Sequence, residues 1–349
     1  MSRAIRSAAD LVAAGLAPPT ALEALEQVVA RYAVGLTPEL GALIDPADPG
    51  DPIARQFIPD PVELDAQRDE SADPIGDDRH SPCEGIVHRY PDRVLLKLAH
   101  VCAVYCRFCF RREMVGPGRR QTLSKAALAA ALNYIREHQE IWEVILTGGD
   151  PLILSARRLT GVMGALAEID HVKVVRVHTR VPVAAPHSIT PALARALRSS
   201  RKATYVVLHA NHPRELTSEV RAACTRLIDA GIPMLSQSVL LRGVNDDAAT
   251  LENLMRALVE CRIKPYYLHH GDLAPGTAHL RTTIPQGQAL MRALHGRVSG
   301  LCQPAYVLDI PGGHGKSPIG PSYLRAAPDG FEIEDFRGRR HPYAPAAKA

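Results

Sequence analysis

The stretch Cys102-Ala103-Val104-Tyr105-Cys106-Arg107-Phe108-Cys109 crowds three thiols into eight residues. Thiolates ligate soft metals, so the question is which metal. A structural zinc site takes four ligands, usually in two pairs, and the sequence holds no second Cys-x-x-Cys and no histidine pair. Ferredoxin spacing also supplies four cysteines. Three suit a [4Fe–4S] cluster with one iron left open to a small molecule. The competing, non-catalytic reading is a metal-binding module in which the triplet and Cys83 hold zinc.

Two further patterns carry chemistry. Thr147-Gly148-Gly149-Asp150-Pro151 follows an apolar run, and its glycines let backbone approach a ligand closely. Asp150, or carbonyls beside it, could hold an ammonium group. Asp309-Ile310-Pro311-Gly312-Gly313-His314-Gly315-Lys316 sets a lysine on a glycine-rich turn. A phosphate-binding loop would need glycine where Ile310 stands and a helix where Pro318 falls. A lysine so placed is suited instead to a Schiff base with pyridoxal phosphate.

These groups need a scaffold. From Arg93 onward, strand-like runs at 94–101, 143–146, 172–177, 203–208, 233–240 and 263–268 alternate with helical patterns at 124–138, 156–168, 191–199, 215–230 and 247–261. A further helix is predicted at 287–295 and a strand at 305–309. Such alternation implies a parallel sheet with ligands at the carboxyl ends of its strands. Six units over about 180 residues fit an incomplete (βα)6 barrel better than a closed eight-unit one. An open doubly wound sheet is the alternative. The organisation expected is an N-terminal helical and irregular wrap over 1–82, the α/β barrel over 83–325 and a loose tail over 326–349. Within the wrap, helical patterns fall at 2–16 and 19–32, ahead of a Pro/Asp-rich stretch.

Composition removes whole classes. The 349 residues carry 41 Lys+Arg and 37 Asp+Glu, a net +4, with 46% apolar and 22% charged residues. A disordered chain needs lower hydrophobicity and more net charge. A balance of +4 is too small and too evenly spread to argue for nucleic acid. No apolar run approaches the ~18 residues of a membrane span. The basic opening is interrupted by Asp10 and reads as an amphipathic helix rather than a signal peptide. Seven cysteines, an odd number with three crowded together, point to a reducing cytoplasm rather than a disulfide framework.

The triplet, with Phe108 at its aromatic place, and the Gly148-Gly149-Asp150 turn resemble the radical S-adenosylmethionine superfamily. With Lys316 added, the chain resembles the lysine 2,3-aminomutase family over roughly 37–322, at LIDPADPGDPI, YPDRVLLK, TGGDPL, QSVLLRGVND, GDLAPGTAHLRT and DIPGGHGK. The resemblance implies an isomerase that moves an amino group of L-lysine to give β-lysine, fed electrons by a flavodoxin or ferredoxin. It implies that Cys102, Cys106 and Cys109 hold the cluster, and that Phe108, Gly148, Gly149 and Asp150 contact S-adenosylmethionine. Lys316 would carry pyridoxal phosphate, and Arg89, Arg93 and Gln237 would bind its phosphate. Arg111 would grip the substrate carboxylate, a task suited to a planar fork. Asp272 and Asp309 would select the substrate: two carboxylates around one cavity repel unless a cation such as a lysine ammonium lies between them. A short bacterial group that makes (R)-β-lysine to modify elongation factor P is also similar, so the biological role and product stereochemistry stay open. His178, His209, His269, His270 and His279 fall near strand ends and take no assigned role. Larger relatives carry a C-terminal extension that helps assemble subunits, so a homo-oligomer here would use other surfaces.

Overall fold

The alternation that starts at Arg93 is realised as a curled parallel sheet with helices packed outside it. The computed structural model describes residues 4–344 apart from 66, 117, 119 and 120. Nine strands form one sheet in sequential order: β1 (Ile86–Tyr90), β2 (Arg93–Ala99), β3 (Glu143–Gly148), β4 (Val174–Thr179), β5 (Ala203–His209), β6 (Met234–Val239), β7 (Ile263–His269), β8 (Ala305–Asp309) and β9 (Lys316–Pro318). Pairing is parallel from β2 to β8, and the hairpins β1–β2 and β8–β9 finish the two edges. Six crossovers link the seven parallel strands, so the incomplete six-unit barrel is the observed architecture.

Each main crossover helix starts where a short polar side chain can cap it. Ser124 caps Lys125–Glu137, Ser155 caps Ala156–Ala167, Thr190 caps Pro191–Arg198, Thr217 caps Ser218–Asp229, Asp247 caps Ala248–Glu260 and Thr283 caps Ile284–Leu294. Such a cap satisfies an orphan helix N–H and is worth about 0.5–2 kcal/mol. Strand β3 is buried along all but its last residue, as a strand covered on both faces must be. Leu96, Leu146, Val177, Leu208 and Leu268 meet Ile135, Leu166, Leu197, Leu227 and Leu258 in one apolar core.

The N-terminal segment has no core of its own. Helix Ala8–Ala13 ends before Gly15, whose φ is +70°, and a second helix spans Leu22–Arg31. Both are shorter than the patterns at 2–16 and 19–32, and residues 1–3 lie outside the described ones. Further along the segment, Ile53 and Phe57 anchor it in the barrel's core.

The stretch expected to be a loose tail is ordered as far as Tyr343. Leu324–Ala327 (β10), Gly330–Glu334 (β11) and Arg340–Tyr343 (β12) make a separate antiparallel sheet. Proline and alanine content masked the hairpin: Pro328-Asp329 joins Ala327 to Gly330, and in β11 Phe331 and Ile333 alternate with Glu332 and Glu334. An ion pair from Arg292 to Glu334 ties this sheet to the barrel. Residues 345–349 lie outside the described ones. Among the described residues no helix is long and apolar enough to cross a membrane.

Candidate active site

One cavity of about 670 Å³ runs through the barrel, and all fourteen residues expected to act line it: Arg89, Arg93, Cys102, Cys106, Phe108, Cys109, Arg111, Gly148, Gly149, Asp150, Gln237, Asp272, Asp309 and Lys316. They come from β1, β2, β3, β6, β8 and β9, from the loops after β2, β3 and β7, and mostly from carboxyl ends of strands.

The three cysteines occupy the loop after β2. All seven cysteines of the chain are free. As bare thiols the triplet is pushed up by burial, Cys106 to about 11. Among the described residues no three His, Cys, Asp or Glu side chains close on one ion-sized point. Three cysteines in one loop match the donor set of a cluster, whose cysteines each bind a different iron. Cys83 packs against the apolar core and does not line the cavity.

The loop is gripped from outside by the N-terminal segment. Gly35 O accepts from Tyr105 N at 3.0 Å, and Gln56 O accepts from Arg107 N at 2.8 Å. Glu63 takes Arg107 and Arg112 together, with Arg107 Nε 2.9 Å from Oε1. From inside, the Gly148-Gly149 turn presses on the loop's start: a Cβ at Gly148 would lie 2.3 Å from Ala99 O, and one at Gly149 2.2 Å from Val101 O. Glycine is therefore a packing requirement here as well as an opening for ligand.

Asp150 has little left to offer a ligand. Its carboxylate accepts from Leu152 N at 3.0 Å, Thr179 Oγ1 at 2.7 Å and Arg180 N at 2.6 Å. An ammonium group at this turn would meet backbone carbonyls. Phe108 packs with Val239, Leu241, Val244 and Leu280, 5.3 Å from the Arg180 guanidinium, as part of an apolar wall.

The lysine end is a hairpin, not a phosphate loop. Asp309 and Lys316 are directly paired across β8 and β9, and Gly312, Gly313 and Gly315 all have positive φ in the turn between them. The pairing sets Lys316 Nζ 2.7 Å from both Asp309 oxygens. His269 Nδ1 lies 3.4 Å from the same carboxylate. These neighbours outweigh burial and hold Asp309 well below the usual carboxylate range. The cation on Asp309 in this structure is thus the chain's own Lys316.

Asp272 is the opposite case. Its Oδ1 is buried with no partner. Burial, with the Asp309 charge beside it, pushes this acid up to about 7. A raised carboxyl keeps its proton in the folded chain over a range where the unfolded chain has lost it. Its penalty is absent below 3.8, grows with pH and is complete above about 7. Asp272→Asn is therefore expected to raise the melting temperature of the cofactor-free protein at pH 8 and to change it little near pH 4. Equal shifts at both pH values would contradict the assignment.

Three histidines without an assigned role, His178, His209 and His269, line the cavity, and burial lowers all three. The acids Glu63 and Asp77 went unnoticed; the only trace was the density of Asp and Glu in a segment too polar to form a core.

A curled parallel sheet carrying a Cys-x3-Cys-x2-Cys loop and a Gly-Gly-Asp turn at its carboxyl ends defines a radical S-adenosylmethionine enzyme, and the Radical SAM superfamily profile matches residues 96–255. The L-lysine 2,3-aminomutase of Clostridium subterminale is 40% identical over 317 residues, 90% of this chain and 76% of the relative. This chain belongs to the lysine 2,3-aminomutase family. The glutamate 2,3-aminomutase of Clostridioides difficile is 38% identical over 302 residues, 86% of this chain and 71% of its own. Among solved structures, a radical SAM methyltransferase from Sphaerobacter thermophilus is 23% identical, with TM-score 0.46 over 64% of this chain and 68% of that one. Membership implies a [4Fe–4S] cluster, S-adenosylmethionine and a small-molecule substrate.

Proposed function

We propose that this chain is a pyridoxal phosphate-dependent lysine 2,3-aminomutase, converting L-lysine to β-lysine. The observation that carries the choice of lysine is the buried, unpartnered Asp272 oxygen in the cavity that holds the Asp309–Lys316 pair. An ammonium group fits two acids, and a glutamate side chain would meet repulsion there. The same positions in a glutamate-selecting relative would need neutral or basic groups.

The residues also suit the phosphate cofactor. Arg89 Nε is buried without a partner, and Arg89, Arg93 and Gln237 line the same cavity as Lys316. When bound, the cluster and S-adenosylmethionine supply a radical able to take hydrogen from an unactivated carbon, and pyridoxal phosphate supplies a carrier for the migrating amino group. The chain's part is placement. Cys102, Cys106 and Cys109 hold the iron. Phe108 and the Gly148-Gly149-Asp150 turn shape the wall beside it. Lys316 would hold the phosphate cofactor through its amine. Arg111 takes the substrate carboxylate, while Asp272 and Asp309 take the distant ammonium, so the carbon to be attacked lies at a fixed point between the two ends. The barrel and its N-terminal cover keep water from the radical. A one-electron donor of the flavodoxin or ferredoxin type completes the cycle.

Anaerobically reconstituted, reduced protein, given S-adenosylmethionine, pyridoxal phosphate and a panel of amino acids, is expected to turn over L-lysine in preference to L-glutamate. A preference for glutamate sinks the substrate assignment. Stoichiometric zinc without sulfide sinks the enzyme reading.

A further inference from the structure

Arg111 has five N–H donors, and part of that set is spoken for. Its Nε and Nη2 donate to Asp77 Oδ2 at 3.0 and 2.8 Å, and its Nη1 lies 3.4 Å from Thr147 Oγ1. Two donors remain, on Nη1 and Nη2, the number that one bidentate carboxylate takes. The other oxygen of the same aspartate, Oδ1, accepts from Arg89 Nη2 at 2.9 Å. Arg89 Nη2 also donates to Ile75 O at 2.8 Å, while Nε is left without a partner. One carboxylate, 1% exposed, therefore fixes the Nε–Nη2 edge of Arg111 and the Nη2 of Arg89, and both arginines line the cavity.

Asp77 is itself held firmly. Its N–H donates to Asp73 Oδ1 at 2.8 Å, and its C=O accepts from Ser81 Oγ at 2.8 Å. The preceding Gly76, with φ +67°, packs so closely on the lysine hairpin that a Cβ there would lie 2.5 Å from Gly313 N. Arg79 and His80 add hydrogen bonds to Gly312 O and Gly313 O. The turn that carries Asp77 is thus built against the turn that carries Lys316.

We propose that Asp77 is a positioning residue that aims two cationic groups at once, Arg111 at the substrate carboxylate and Arg89 at the cofactor phosphate. The identity of those two ligands rests on the function proposed above. Without Asp77, the Nε–Nη2 edge of Arg111 is free to turn toward Asp272 or Asp309, acids that line the same cavity. Arg89, Arg111 and the nearby Lys97 would also share the region with one compensating charge fewer.

The test is Asp77→Asn, which keeps size and removes charge. In the reconstituted holoenzyme, three quantities are read: cluster iron, pyridoxal phosphate affinity from its visible absorbance, and KM against kcat for L-lysine. Iron is expected to be unchanged, cofactor affinity to weaken and the lysine KM to rise, each about ten- to hundredfold, with kcat at saturation falling less than threefold. In an Arg111→Ala background, Asp77→Asn is expected to leave the lysine KM where Arg111→Ala put it and still weaken the cofactor, because Asp77 reaches lysine only through Arg111. Unchanged KM and cofactor affinity overturn the proposal, as does an additive KM penalty in the double variant. Loss of iron or of fold in Asp77→Asn also overturns it, by making the residue structural. Wild-type protein inert toward L-lysine would instead fail the function proposed above, and the cofactor titration would still test the Asp77–Arg89 half.

Discussion

The visible absorbance of bound pyridoxal phosphate is expected to vanish from Lys316→Ala, and mutase turnover to fall on the order of 10⁴-fold, while iron and sulfide stay at wild-type levels. The separation is geometric in origin. Lys316 stands on a hairpin at one edge of the sheet, whereas the cysteine loop comes after β2 and is tied to Gly35, Gln56 and Glu63. Nothing in the cluster's footing depends on the lysine. Its removal also leaves the buried Asp309 without its cation. Lys316→Arg divides the two effects. A guanidinium keeps a charge on Asp309 but is no nucleophile at ordinary pH. The Arg variant is therefore expected to lose the absorbance and the turnover yet melt above the Ala variant at pH 8. An unchanged spectrum in Lys316→Ala would move the attachment point elsewhere, and Lys97, whose ammonium burial and Arg111 hold below the usual range, would be the residue to examine.

A second large effect is expected from Cys106→Ala. Two thiols cannot hold a cubane that leaves one iron open, so S-adenosylmethionine cleavage should drop to background and iron to a small fraction of wild type. The fold should survive, because the loop's arginines rather than its cysteines fasten it. Arg107 and Arg112 share Glu63, Arg112 lies 3.7 Å over the Tyr32 ring, and Arg107 Nη1 reaches Ala33 O at 2.8 Å. Circular dichroism and the melting curve of cofactor-free Cys106→Ala should match those of cofactor-free wild type. Full cluster content with normal cleavage in the variant would overturn the triplet's assignment. Collapse of the fold would overturn the view that the N-terminal segment fastens the loop.

The barrel was legible because its signals are local. Each crossover helix carries its own cap, each parallel strand is a short apolar run, and the seven predicted strands and six predicted barrel helices lie within a few residues of the observed bounds. The cysteine loop, the Gly148-Gly149 turn and the lysine were legible because their chemistry is written in residue type and spacing. What escaped was the partnering of charges across long stretches of chain. Asp77 and Glu63 look like solvated acids until the fold brings Arg89, Arg107, Arg111 and Arg112 to them. Strand β9 escaped because three residues carry no period, yet that pairing sets Lys316 against Asp309. Asp150 read as a ligand group, whereas three short hydrogen bonds commit it to the backbone and Thr179.

The packing of Gly76 against Gly313 has a consequence in time. Asp77 and Lys316 are 316 − 77 = 239 residues apart in the chain, and a ribosome adds about 5–20 residues per second. The acid that steers two arginines therefore leaves the ribosome on the order of 10–50 s before the lysine hairpin that must lie against it. Strands β2 to β7 can pair during that interval, since each needs only its neighbour, but this contact must wait for the last edge of the sheet. Closing so long a loop is slow and entropically costly. Cofactor capture is thus a late event, completed after the barrel's strands are laid down, and a nascent chain stalled before residue 312 should have its cysteine loop in place and no site for pyridoxal phosphate.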